Sequence, residues 1–145
     1  MTSPKSKRPP ASALEVATRL LARRDHAVSE LRWKLRRRGY EDSEVELAIE
    51  RLLGAGHLSD ARFASGLVRR HAATRSRAAV AAELAGRGIG RELSNESLSS
   101  ISPETELDAA RRCLARWPGL DPDLASRRLM RRGFGFDVLR RLRRA

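Results

Sequence analysis

The chain has 145 residues, 41% of them hydrophobic, enough for a modest core in about one domain's worth of mostly helical chain. Lys and Arg number 30 against 18 Asp and Glu, a formal charge of +12, and 27 of those cations are arginine, so a polyanionic partner is expected, whether nucleic acid, an acidic protein surface or both. No apolar run approaches the roughly 18 residues of a membrane span, residues 1–12 lack a signal-peptide core, and the single cysteine, Cys113, excludes an intramolecular disulfide, so a cytoplasmic protein is expected.

Residues 1–12 carry Pro4, Pro9, Pro10, Lys5, Lys7 and Arg8 and read as a disordered basic tail. From Ala13 onward every segment has helical spacing and no strand alternation occurs. A first repeat, 13–57, holds predicted helices near 13–24, 27–38 and 43–54, with Gly39 as a C-terminal cap and Ser43 with Glu46 as a capping box. A second, 58–101, holds helices near 59–73, 75–86 and 90–100. Ser59 is the expected N-cap of the first of these, Asp60 suits its positive end, and Gly88 ends the next. From Leu93 to Ile101 the chain is serine-rich, and hydroxyls that compete for backbone groups predict a short or frayed helix there. A third repeat, 102–145, starts at Ser102-Pro103-Glu104 and breaks at Trp117-Pro118-Gly119. It restarts at Asp121-Pro122, breaks again at Gly133, and closes with a helix from Phe136 to about Arg144.

Three steps mark the repeat: Arg38-Gly39-Tyr40, Arg87-Gly88-Ile89 and Arg132-Gly133-Phe134, with glycines 49 and 45 residues apart. Four and eight residues before each glycine stand Leu35 and Leu31, Leu84 and Val80, Leu129 and Ala125, while Leu14, Phe63 and Leu107 recur further upstream. A period of this size is the mark of a supersecondary unit that buries its apolar stripe against its neighbours. The expected architecture is therefore all-α: tandem three-helix, helix-turn-helix-like repeats in an elongated, crescent-like array. Glycine accepts the left-handed conformation that ends a helix, and arginine before it complements the negative end of the dipole, so Gly39, Gly88 and Gly133 are read as structural helix stops.

Candidate partner-binding residues come from helical rotation. Opposite Leu31 and Leu35 lies Trp33 among Arg32, Arg36 and Arg37, and two readings of Trp33 stay open: packing against another module, or an exposed anchor in a cationic face. Opposite Val80 and Leu84 stand Ala78 and Ala82, small residues that predict a packed face. Arg69 and Arg70 end the first helix of the second repeat. From Arg127 to Ala145 there are eight arginines and one acid, Asp137; Val138, Leu139 and Leu142 form the buried stripe. Arg127, Arg128, Arg131, Arg132, Arg140, Arg143 and Arg144 are the candidates there, set outward for a protein or for DNA phosphates.

Catalytic and metal constellations are not expected. Gly86-Arg87-Gly88-Ile89-Gly90 has no preceding strand and no following Lys-Ser/Thr, so it reads as cap and turn glycines rather than a phosphate loop. His26, His57 and His71 stand apart from other ligand types, and Cys113 sits near the Leu107/Ala110/Leu114/Trp117 stripe as a small core residue. No cofactor and no enzymatic activity are predicted.

Leu58-Ser59-Asp60-Ala61-Arg62-Phe63-Ala64 and Glu83-Leu84-Ala85-Gly86-Arg87-Gly88-Ile89 resemble the RecX family of RecA regulators. Leu20 to His26, then Glu30-Leu31 through Lys34-Leu35 to Gly39-Tyr40, is similar to that family's first module, and the resemblance covers about 13–145. It implies a protein that lies in the groove of a RecA filament on single-stranded DNA and lowers ATP hydrolysis, strand exchange and co-protease activity. One departure is Ala27, where the family puts a small polar residue at the start of the second helix, which leaves Asp25 as the substitute cap. The competing reading is a helix-turn-helix regulator acting on DNA directly; such a factor is expected to dimerise, and without a visible heptad zipper the chain is expected to be monomeric. The resemblance is compatible with coating of the groove, capping of filament ends or promotion of disassembly.

Overall fold

A computed structural model describes residues 11–144, among which the chain forms nine α-helices and no strand. They are α1 (Ala13–Arg23), α2 (Val28–Arg37), α3 (Asp42–Gly54), α4 (Asp60–His71), α5 (Arg77–Gly86), α6 (Arg91–Leu98), α7 (Pro103–Ala115), α8 (Pro122–Arg131) and α9 (Phe136–Arg144). The all-α, tandem three-helix expectation holds. Two compact units contain them, Met1–Asp60 and Ala61–Ala145.

All three Arg-Gly-hydrophobe steps fold identically. Gly39, Gly88 and Gly133 have φ of +95°, +76° and +93°. Each glycine N–H bonds to the carbonyl three residues back, and the next residue's N–H bonds to the carbonyl five back: Tyr40 to Leu35, Ile89 to Leu84, Phe134 to Leu129. These are complete Schellman stops, in which the residue after glycine packs onto the final turn. Tyr40, Ile89 and Phe134 are accordingly buried, as are all six residues four and eight positions before the glycines.

In the first unit Ala13, Val16, Ala17, Leu31, Leu35, Tyr40, Val45, Ala48, Ile49, Leu52 and Leu58 make one core. Order reaches past the expected start at Ala13. Ser12 Oγ accepts from Glu15 N at 3.1 Å as the N-cap of α1, and the Tyr40 hydroxyl donates to the Ala11 carbonyl at 2.5 Å. The rest of the expected basic tail, residues 1–10, lies outside the described residues. The Ser43 and Glu46 capping box does not form. Helix α3 begins at Asp42 with Glu41 at its N-cap and no side-chain cap, and Glu46 turns instead to Arg32, where a charge-assisted bond at 2.6 Å outcompetes a backbone amide. His26 is buried, with Nε2 2.9 Å from Lys34 Nζ and Nδ1 3.1 Å from the Arg24 carbonyl. An ammonium only donates, so Nε2 accepts and the ring is neutral with its proton on Nδ1; burial pushes its pKa down.

The missing cap at Ala27 is supplied from a distance. Val28 N, the first amide of α2, donates to Asp60 Oδ1 at 2.8 Å, so Asp60 rather than the expected Asp25 satisfies that amide. Helix α5 repeats the arrangement within the second unit: Arg77 N, again the first amide, donates to Glu106 Oε1 at 3.1 Å, beside the Ser76 N-cap. Helix α8 starts with Pro122, which has no N–H to satisfy at that position.

In the second unit α7, α8 and α9 share a core of Leu107, Ala109, Ala110, Cys113, Leu129, Phe134, Val138 and Leu139. That core is tied to the turn before α5 by Arg112 Nη1 to the Ala73 carbonyl, Cys113 Sγ to the Thr74 carbonyl and Ser76 Oγ to the Arg132 carbonyl at 2.6 Å. Ala78 and Ala82 are exposed, against the packed face expected of them; the buried stripe of α5 is Val80 and Leu84 alone. The serine-rich helix α6 is short at eight residues, and Ser99 and Ser100 hydroxyls close its end by bonding to the Glu96 and Ser97 carbonyls.

Two predictions follow from the backbone. A Cβ at Gly133 would meet Ser76 Oγ at 2.7 Å and Ala78 Cβ at 3.2 Å, and Ser76 is pinned by two hydrogen bonds, whereas Gly39 has open space. Urea unfolding should show Gly39→Ala costing about 1 kcal/mol, from backbone conformation alone, and Gly133→Ala roughly 3 kcal/mol. Asp60→Ala should cost about 1–2 kcal/mol through the orphaned Val28 amide, while Asp60→Asn, which keeps an acceptor oxygen, retains most of the stability.

Candidate functional site

The sequence places candidate cations on four helices, and the structure divides them by what holds them. On α2, Arg32 Nε bonds to Glu46 Oε1, Arg36 Nε lies 2.8 Å from Asp42 Oδ1 and 3.9 Å separates Arg36 Nη2 from Glu46. The Arg32 hydrogen bond holds the Glu46 carboxyl below its usual range. This outer face is thus partly neutralised by α3, and its cationic character is weaker than the sequence of α2 alone predicts. Trp33 is 59% exposed, and the Arg37 guanidinium sits 5.1 Å from its ring centroid. Of the two readings of Trp33, packing against another module or an exposed anchor, its exposure favours the second: most of the indole faces solvent, with an arginine laid on it.

In the second unit Arg69 and Arg70 are exposed at the end of α4. Helix α9 keeps its cations near acids: Arg140 pairs with Asp137, Arg143 lies 3.9 Å from Asp123, and Arg141 reaches Glu104 at 3.2 Å. Arg144 is exposed. Helix α8 differs. Arg127, Arg128, Arg131 and Arg132 are all exposed, and none has an acidic partner among the described residues.

Two of these guanidiniums nonetheless lie against an aromatic ring. Arg128 and Arg132 lie 5.3 and 5.2 Å from the centroid of Trp117, the half-buried residue just beyond α7, and with Arg131 the three line a concavity of about 270 Å³. Positions i, i+3 and i+4 share a helix face, which is why one indole reaches the neighbourhood of all three. Trp117 packs against the core, as the sequence stripe predicts, and its contact with the two arginines is an addition that the stripe does not reveal. Its available signal was that Arg128 and Arg132 flank the buried Leu129, so their aliphatic stems run along the apolar border where an aromatic ring comes to lie. Cys113 is buried, as expected of a core residue. Among the described residues no group of three metal-ligating side chains is clustered, and no helix is long and apolar enough to cross a membrane.

Comparison with known proteins bears on what this arrangement is for. The family models for the first and second three-helix domains of RecX match residues 13–52 and 59–98. The chain belongs to the RecX family. Similar proteins named regulatory protein RecX include one from Chromohalobacter salexigens, 36% identical over 86% of this chain and 86% of that one, and one from Trichlorobacter lovleyi, 34% identical over 92% and 94%. A crystal structure of RecX from Lactobacillus salivarius superposes with a TM-score of 0.79 at 16% identity over 91% of this chain and 92% of that one. A second, a regulatory protein RecX, gives 0.80 at 19% identity over 92% and 72%. These two likenesses support the fold; the sequence relatives support the family. The Leu58-to-Ala64 motif that suggested the family now has a physical role in part, since its Asp60 caps α2.

The exposure of Trp33 generates a prediction. Trp33 is mostly exposed and stacks with Arg37, so Trp33→Ala should change unfolding free energy by less than about 1 kcal/mol while weakening partner binding. A melting curve beside a binding titration checks both halves, and a large fall in melting temperature would show that the indole is structural.

Proposed function

We propose that this protein regulates RecA by binding RecA filaments on single-stranded DNA in the helical groove, lowering ATP hydrolysis, strand exchange and co-protease activity, and so modulating recombination, DNA repair and the SOS response. Membership of the RecX family is the observation that carries this reading. Three repeats, 13–57, 58–101 and 102–145, form the working array of a monomer in the cytoplasm. Its activity is binding alone, without chemistry of its own. The exposed candidates on α2, α4, α8 and α9 supply the contacts: Trp33 and Arg37 toward protein, the arginines at the end of α8, without an acidic partner among the described residues, toward a polyanion.

A filament regulator should act on preassembled filaments, whereas a protein that merely competes for DNA phosphates should act only where free DNA is limiting. The expected result is a fall in DNA-dependent ATP hydrolysis when this protein is added to preformed RecA filaments with free DNA scarce. Unchanged hydrolysis at molar excess over RecA refutes the reading. Inhibition that vanishes when DNA is in excess assigns it instead to direct DNA binding.

A further inference from the structure

We propose that Arg128, Arg131 and Arg132, gathered beside Trp117, form a dedicated clamp for the phosphodiester backbone of a nucleic acid. This rests on the preceding reading for where the strand comes from, a nucleoprotein filament, while the chemistry of the clamp stands on its own geometry.

Four observations carry it. The three guanidiniums come from the end of α8 and its C-cap, Arg132, and line one concavity of about 270 Å³. None of them has a carboxylate partner among the described residues, in contrast to Arg32, Arg36, Arg140 and Arg143, which lie beside acids. Two of them are held at 5.3 and 5.2 Å from the Trp117 ring centroid, so part of the rotamer freedom that a ligand would otherwise have to freeze is already restricted. Finally, Arg131 and Arg132 also line an adjoining concavity of about 330 Å³ with Ser76 and Arg75, the last of which is paired with Glu83, so the two α8-end arginines face space for more than a single phosphate.

The choice of phosphate over carboxylate follows from oxygen count and spacing. A carboxylate is satisfied by one bidentate arginine, as Glu30 is by Arg24 here, whereas successive phosphodiesters engage several guanidiniums along a track. The indole supplies no hydrogen-bond acceptor, so every N–H of Arg128 and Arg132 not used by solvent remains available to phosphate oxygens. Nothing in this set reads base edges, and the clamp is indifferent to sequence.

The test uses the full chain without RecA, so that its failure is distinct from failure of filament inhibition. Trp33→Phe leaves Trp117 as the one indole, since the chain has 2 tryptophans. Oligothymidylate of about 16 nucleotides, near the largest site of one small binding fold, should change Trp117 emission saturably. In that background, Arg128→Gln/Arg131→Gln/Arg132→Gln should weaken binding roughly tenfold and reduce the log–log salt slope by about 2, three contacts at about 0.7 each. Arg19→Gln/Arg23→Gln/Arg91→Gln, which removes the same charge from other exposed sites, should leave the slope nearly unchanged. Arg131→Gln alone, which leaves both cation–π contacts to Trp117 in place, gives the same direction with about a third of the slope change and guards against misfolding of the triple variant. A duplex of equal charge is the second arm: a response to oligothymidylate alone assigns a single strand, and a response to both assigns the backbone of either form. Equal slope losses in the two triples, no emission change, or an equal response to polyglutamate would overturn the clamp.

Discussion

Everything in this fold depends on stopping a helix abruptly and turning the next residue inward. A helix ends with carbonyls that have no intrahelical partner, and the Schellman geometry satisfies them by reversing the backbone through one left-handed residue. Only glycine does this cheaply. With φ of +95°, +76° and +93°, Gly39, Gly88 and Gly133 deliver Tyr40, Ile89 and Phe134 into the cores. The buried hydrophobe and the glycine are thus one device, and its recurrence is what makes the three-helix set a repeat.

A second constraint is complementary to the first. Ending α2 and α5 in glycine settles their C-termini but leaves their first amides, and at Ala27 no side chain is available to cap. The chain solves this with carboxylates that arrive from Asp60 and Glu106, 32 and 29 residues further on. Each cap therefore ties the start of one helix to a carboxylate supplied from much further along the chain. Where proline begins the helix, at Pro122, the donor itself is absent. Gly133 joins both themes: it ends α8 and brings its backbone against Ser76, the N-cap of α5.

Legibility in the sequence followed the range of the interaction. Helix positions, stops and the buried stripes at four and eight residues before each glycine depend on neighbours within two turns, and the sequence declared them. Long-range partners did not show. Asp60 looked like a residue suited to its own helix and Asp25 like the nearer cap, because spacing cannot reveal that a carboxylate 32 residues away lies against Val28 N. Glu46 looked like a capping-box member because the competing guanidinium of Arg32 is on another helix. Ala78 and Ala82 looked buried because small residues permit close approach; Ala78 does lie close to the Gly133 backbone, yet both side chains remain exposed.

The candidate surface was legible as composition and illegible as electrostatics. A count of arginines gave the first and last thirds of the chain equal standing, yet a cation already paired with a carboxylate must break that pair or share it before it can serve a partner. Arg32 and Arg36 carry that handicap from Glu46 and Asp42, and Arg140 carries it from Asp137. The guanidiniums beside Trp117 do not, since an aromatic face orients a cation without neutralising it. The difference between the arginine clusters therefore lies in the chemistry of what each arginine leans on. That distinction needs the fold, because Trp117 and Arg128 meet only after the turn at Pro118-Gly119 has brought α7 and α8 together.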